Sequence, residues 1–146
     1  MRSELADLYQ EVILDHNRRP RNFAALATAN RTAEGYNPLC GDRVTVYVDL
    51  AGGRLREVAF QGSGCAISTA SASMMTEALR GKTVAEAQEL FRKFQHLVKT
   101  GGDEDLGELA AFGGVHEFPM RVKCATLAWH ALQSALAQPA EKGDTS

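Results

Sequence analysis

The clearest pattern along the chain has a period of two. Val44, Val46, Val48 and Leu50 alternate with Thr45, Tyr47 and Asp49, as in a half-buried strand. After Ala51-Gly52-Gly53 a second strand runs from Leu55 to Gln61, with Val58 and Phe60 facing inward. The three-residue connection predicts an antiparallel hairpin. Arg31 to Tyr36 reads as a short edge strand.

Elsewhere the apolar positions recur at helical spacing. Residues 3–18 carry Leu5, Leu8, Tyr9, Val12 and Ile13 on one stripe, with Ser3 as a cap and Pro20 as a stop. A second helix starts near Cys65, turns Ile67, Ala70, Met74, Met75 and Ala78 to the core, and ends at Gly81. Its other side carries Ser68, Thr69, Ser71, Ala72 and Ser73, small enough for close backbone approach. Thr83-Val84-Ala85-Glu86 is a capping box for a third helix, with Ala87, Leu90, Phe91, Phe94, Leu97 and Val98 inward and His96 at the surface. Leu106 to Phe112 reads as a short helix broken by Gly113-Gly114. The stretch from Val115 to Cys124 leads into a last helix, buried along Leu127, Ala128, Ala131, Leu132 and Ala135 and stopped by Pro139.

Length and composition narrow the class. At 146 residues the chain fits one domain, residues 1–138, followed by a disordered tail, 139–146. A chain of this size buries about 70% of its unfolded surface, so it needs no disulfide or metal merely to fold. The 16 basic and 18 acidic side chains give a net charge of −2, which makes no electrostatic case for nucleic acid. No apolar run approaches the ~20 residues that span a bilayer. The first residues lack a signal peptide's apolar region, so the expected compartment is the cytosol.

Three cysteines, an odd count, do not make a disulfide framework. In a reducing compartment such thiols are inert and buried, bind metal, or do chemistry. Each here has a setting that favours the thiolate. Cys65 follows Gly62-Ser63-Gly64 at a strand-to-helix turn, where free N–H groups face it. Cys124 is read at the start of the last helix, just after Arg121 and Lys123. Cys40 lies in the loop Asn37-Pro38-Leu39-Cys40-Gly41-Asp42, with Arg43 next. Cys40, Asp42, Cys65 and Cys124 together are a four-ligand set of the kind tetrahedral zinc takes. The set with its metal carries −2, so Arg43, Arg121 and Lys123 are candidate neighbours. The alternatives are a turn carboxylate at Asp42 and buried, unreactive thiols. His116 reads as a loop histidine without a ligand role.

The three cysteine stretches resemble a known family. Asn37-Pro38-Leu39-Cys40-Gly41-Asp42, Gly62-Ser63-Gly64-Cys65-Ala66-Ile67-Ser68 and Arg121-Val122-Lys123-Cys124-Ala125-Thr126-Leu127 are similar to the motifs of U-type iron–sulfur assembly proteins: IscU, the N-terminal part of NifU, and SufU. The resemblance runs from about Leu8 to Leu136 and includes Asp15-His16-Asn17 and Pro20-Arg21-Asn22. Within the family the chain looks most like the SufU branch. Lys123 replaces the histidine that IscU-type chains carry before the third cysteine. The stretch Glu117 to Lys123 lacks their Leu-Pro-Pro-Val-Lys chaperone motif.

The resemblance implies an α+β fold of the SufE/NifU-like kind, a small antiparallel sheet packed against several helices. It implies zinc on Cys40, Asp42, Cys65 and Cys124. It implies a pyridoxal-phosphate cysteine desulfurase of the SufS type as partner, with downstream iron–sulfur assembly proteins after it. Cys40 is the position that accepts persulfide sulfur, leaving the metal when the partner docks, and Arg121 steers the partner or balances charge. The chain is then a sulfurtransferase-type carrier. Two other readings use the same residues: a scaffold for a transient [2Fe–2S] cluster, and a structural zinc domain.

Overall fold

The computed structural model describes residues 2–101 and 106–137, with side chains from residue 10 onward. Ser3 as a cap, the Leu5, Leu8 and Tyr9 positions, Pro139 as a stop and the 139–146 tail lie outside the described residues and side chains. Helix α1 spans Arg2–Arg18. Strands β1 (Arg31–Asn37), β2 (Asp42–Ala51) and β3 (Arg54–Ser63) follow. Then come α2 (Ala66–Leu79), α3 (Val84–Thr100), a 3-10 segment (Gly107–Glu117) and α4 (Pro119–Leu136). The strands form one antiparallel sheet in the order β1-β2-β3. This is the α+β architecture that the resemblance implies.

The hairpin is tighter than its sequence suggests. Ala51 pairs with Arg54, so the loop is Gly52-Gly53, two residues long. Both glycines have positive φ, 60° and 77°. A two-residue turn with φ positive at both positions matches the right-handed twist of the strands. A register shift between Asp49 and Leu50 leaves Arg56 as an extra residue in β3. That bulge is why Leu55 and Val58, three apart, both point inward.

The buried face of the sheet packs against α2 and α4, and α1, α3 and the 3-10 segment close the outside. The core centres on Trp129, which stacks on Phe94 at 4.6 Å between ring centroids. Phe112 meets Phe94 edge-on at 5.7 Å. α2 is buried on nearly all sides, and its small residues set how close its neighbours lie. The Ser71 hydroxyl donates to the Ala125 carbonyl of α4 at 2.5 Å and accepts from Trp129 Nε1 at 3.0 Å. On the other side Ser73 Oγ accepts the Arg21 backbone N–H at 2.8 Å.

Two helix boundaries differ from expectation. The 3-10 segment continues through Gly113-Gly114 to Glu117. α4 starts at Pro119, five residues before Cys124. Proline suits the first helical position because its φ is preset and its missing N–H would have no partner there. The capping box at Thr83 and Glu86 forms with both bonds made, at 2.9 and 3.1 Å. Among the described residues no helix is long and apolar enough to cross a membrane.

Candidate metal centre

The three cysteine stretches meet at one end of the sheet. The turn between β1 and β2 is built on Asn37. Its carbonyl accepts from the N–H groups of Cys40 (3.3 Å) and Gly41 (2.8 Å), and its Oδ1 accepts from Leu39 at 3.2 Å. Cys40 therefore rides on a short turn and is half-buried. Asp42, the first residue of β2, is fully buried. Its Oδ1 accepts the Cys65 N–H at 3.0 Å and its Oδ2 lies 3.9 Å from Cys65 Sγ. This approach requires glycine at 64, where a Cβ would stand 2.7 Å from Asp42 Oδ1.

Cys65 caps α2, as its setting predicts. Its Sγ accepts the Ser68 N–H at 3.4 Å. Cys124 is different from expectation. It sits in the second turn of α4, fully buried, and not at the start of its own helix. Burial pushes its thiol well above the usual range, with contacts to Cys40 and Asp42 adding to the shift. Its Sγ is 3.4 Å from Cys40 Sγ.

One donor atom each from Cys40, Asp42 and Cys124 lies within 4.8 Å of the others. Cys65 joins from the Asp42 side. A tetrahedral zinc–thiolate site with bonds of about 2.3 Å has ligand atoms about 3.8 Å apart. The Cys40–Cys124 and Cys65–Asp42 separations bracket that value; Cys65 stands outside the compact group of three, so the four donors suit such an ion once Cys65 Sγ draws in.

Of the three candidate cations only Arg121 reaches the cluster. It is one helical turn before Cys124 and shares its face. Its Coulomb interactions with the Cys65 sulfur first and the Cys124 sulfur second hold its guanidinium more firmly protonated than usual. Arg43, on the opposite side of β2 from Asp42, stacks on Tyr36 at 4.3 Å. Lys123 turns away and lines a small pocket with Tyr36, Asn37 and His130. His116 is exposed and its Nδ1 bonds the Gly113 carbonyl at 2.7 Å. A groove of about 740 Å³ opens beside Arg121, walled by Ile13, Leu14, Ile67, Val115 and Phe118. The spacing of the motifs gave no sign of this groove or of the need for Gly64. The Gly-Ser-Gly run before Cys65 was the only available signal for the latter.

A family model described as the NifU-like N-terminal domain matches residues 8–144. The chain belongs to the NifU-like N-terminal domain family. Relatives extend over nearly the whole length of this NifU-like chain. It is 40% identical over 141 residues to the zinc-dependent sulfurtransferase SufU of Bacillus subtilis (strain 168), covering 93% of this chain and 94% of the relative. It is also 40% identical to the iron–sulfur cluster assembly scaffold protein IscU of Streptococcus pyogenes serotype M1, covering 94% and 88%. Among solved structures, a putative iron–sulfur cluster assembly scaffold protein for the SUF system from Fervidobacterium islandicum AW-1 superposes with a TM-score of 0.80. That pair is 38% identical, over 86% of this chain and 94% of the other.

Proposed function

We propose that this chain is an iron–sulfur cluster assembly protein that accepts persulfide sulfur from a cysteine desulfurase, with Zn²⁺ held by Cys40, Asp42, Cys65 and Cys124. The observation that carries the reading is the convergence of Cys40, Asp42 and Cys124 from a turn, a strand start and a helix interior, with the helix-capping Cys65 3.9 Å from Asp42 Oδ2. Bound zinc would keep the thiols deprotonated and shielded from oxidation. The protein's own part is to choose which sulfur reacts. Cys124 is buried inside a helix and Cys65 is tied to the Ser68 N–H. Cys40 sits on an irregular turn and is the thiol free to swing outward.

The Cys40 thiolate attacks the terminal sulfur of the desulfurase persulfide. The S–S bond of the partner breaks, its cysteine leaves as thiolate, and Cys40 becomes the persulfide. Arg121 stabilises the negative charge that passes between the two sulfurs. The desulfurase is of the SufS type and the setting is a reducing cytosol. SufU and IscU relatives are equally near by identity. Lys123, in place of a histidine ligand, favours sulfur transfer over cluster scaffolding.

The test is mass spectrometry after incubation with a cysteine desulfurase and cysteine. The expected result is a gain of one sulfur on Cys40, absent in Cys40→Ala. Full stimulation of the desulfurase by Cys40→Ala sinks the assignment. A visible iron–thiolate absorption after anaerobic reconstitution, with cluster transfer to an apo-protein, supports the scaffold reading instead.

A further inference from the structure

A second group of ligand-type side chains lies away from the cysteines. His16, in the last turn of α1, is only 2% exposed. Its Nδ1 is 2.7 Å from Ser73 Oγ, which also accepts the Arg21 N–H. The ring is thus fixed from behind, as metal-binding imidazoles commonly are. Its other nitrogen, Nε2, is 3.3 Å from Glu108 Oε1. Glu77, one turn beyond Ser73 on α2, completes the group. One ligand atom each from His16, Glu77 and Glu108 lies within 4.8 Å of the others.

Within the group itself, carboxylates outnumber the protons that can bridge them. Two carboxylates face a ring edge that carries at most one N–H, and Glu108 takes it. Among the described residues Glu77 has no hydrogen-bond or ion-pair partner. The Arg21 guanidinium is bound to Asp15 at 2.6 Å, and the charges of Glu77 and Glu108 also reach it without a direct bond. Like carboxylates this close repel unless a proton or a cation lies between them. Glu77 and Glu108 also line a groove of about 710 Å³, which gives an ion a path from solvent.

We propose that His16 Nε2, Glu77 and Glu108 form a second site for a divalent first-row transition ion. An imidazole and two carboxylates suit ions of the manganese–iron–cobalt–zinc series, without the thiolates that select zinc at the cysteine cluster. Twelve residues of α2 separate Cys65 from Glu77, about 18 Å along a helix. The two sites are therefore distinct, and this proposal stands or falls independently of the sulfur-transfer reading.

Mn²⁺ is the probe. It is the weakest binder of the series and does not displace a thiolate-held metal, and its paramagnetism erases nearby amide signals. It is added below one equivalent to the full chain, already saturated with Zn²⁺, and followed by ¹⁵N NMR. Signals of His16, Ser73, Glu77 and Glu108 should vanish first, while those of Cys40 and Cys65 persist. In Glu77→Gln with Glu108→Gln the Mn²⁺ needed should rise at least about tenfold. Both positions are exposed, so the double variant should keep the wild-type circular dichroism. Broadening spread evenly over exposed carboxylates outside that groove, such as Glu34 and Glu117, overturns the site. So does an unchanged Mn²⁺ response in the double variant.

Discussion

Asp42 divides its work between two oxygens. One is fixed by the Cys65 N–H, and the other is left toward the sulfurs. Asp42→Ala removes both functions and orphans a buried N–H, at a cost of about 1–3 kcal/mol. Urea denaturation of the metal-free chain should show that loss, and plasma emission spectroscopy should show lowered metal content. Asp42→Asn keeps an acceptor for Cys65, so it should recover most of the stability and little of the metal. Gly64→Ala should resemble Asp42→Ala in metal content, because its Cβ would displace Asp42 Oδ1. Cys124 predicts a pH dependence. Its folded pKa is raised from an ordinary 9.0, so its stability contribution is complete below about pH 9. Above that the unfolded chain releases the thiol proton and the folded chain keeps it. Stability of the metal-free protein should fall by up to about 1.4 kcal/mol per pH unit, readable by denaturation at pH 8, 9 and 10. The loss should be smaller with metal bound, since a bound cation favours the thiolate.

At the level of elements, strongly periodic segments were legible in the sequence and irregular ones were not. Val44 to Leu50 announced β2 because one face is buried and the other is not. Thr83 and Glu86 announced the start of α3 because a capping box is a local device. Thr83→Ala should therefore cost about 1 kcal/mol, lowering the melting temperature by about 2–4 °C in calorimetry. The start of α4 was misread, although Pro119 is a fair marker of a first turn. The error placed Cys124 at the helix start, whereas it lies in the second turn of α4. The bulge at Arg56 and the 3-10 path through Gly113-Gly114 depend on packing from distant residues, which no local pattern encodes. The cysteines themselves were readable as a set, whereas the cations around them were not. Arg43, Arg121 and Lys123 are all near Asp42 or Cys124 in sequence, and only the one on the right helical face arrives.

At the scale of the molecule, the end that carries the cysteines also carries apolar side chains in contact with water. Leu39 is 64% exposed beside Cys40, and Phe118 and Met120 open α4. A desulfurase that brings a persulfide to Cys40 must cover Leu39. Leu39→Asp should weaken stimulation of the desulfurase at least about fivefold, the scale of a contact worth about 1 kcal/mol at an interface centre. Metal content should be unchanged, which separates a docking defect from a broken site.

The sequence separation of 84 between Cys40 and Cys124 has a further consequence. A ribosome releasing this chain delivers Cys40, Asp42 and Cys65 early, on the hairpin and the helix that follows it. Cys124 comes in the last quarter, and only docking of α4 onto β1 and β2 carries it to the others. A nascent chain therefore has an incomplete cage for most of its synthesis. If the four side chains hold a metal as proposed, a chain cut before Pro119 should not retain it.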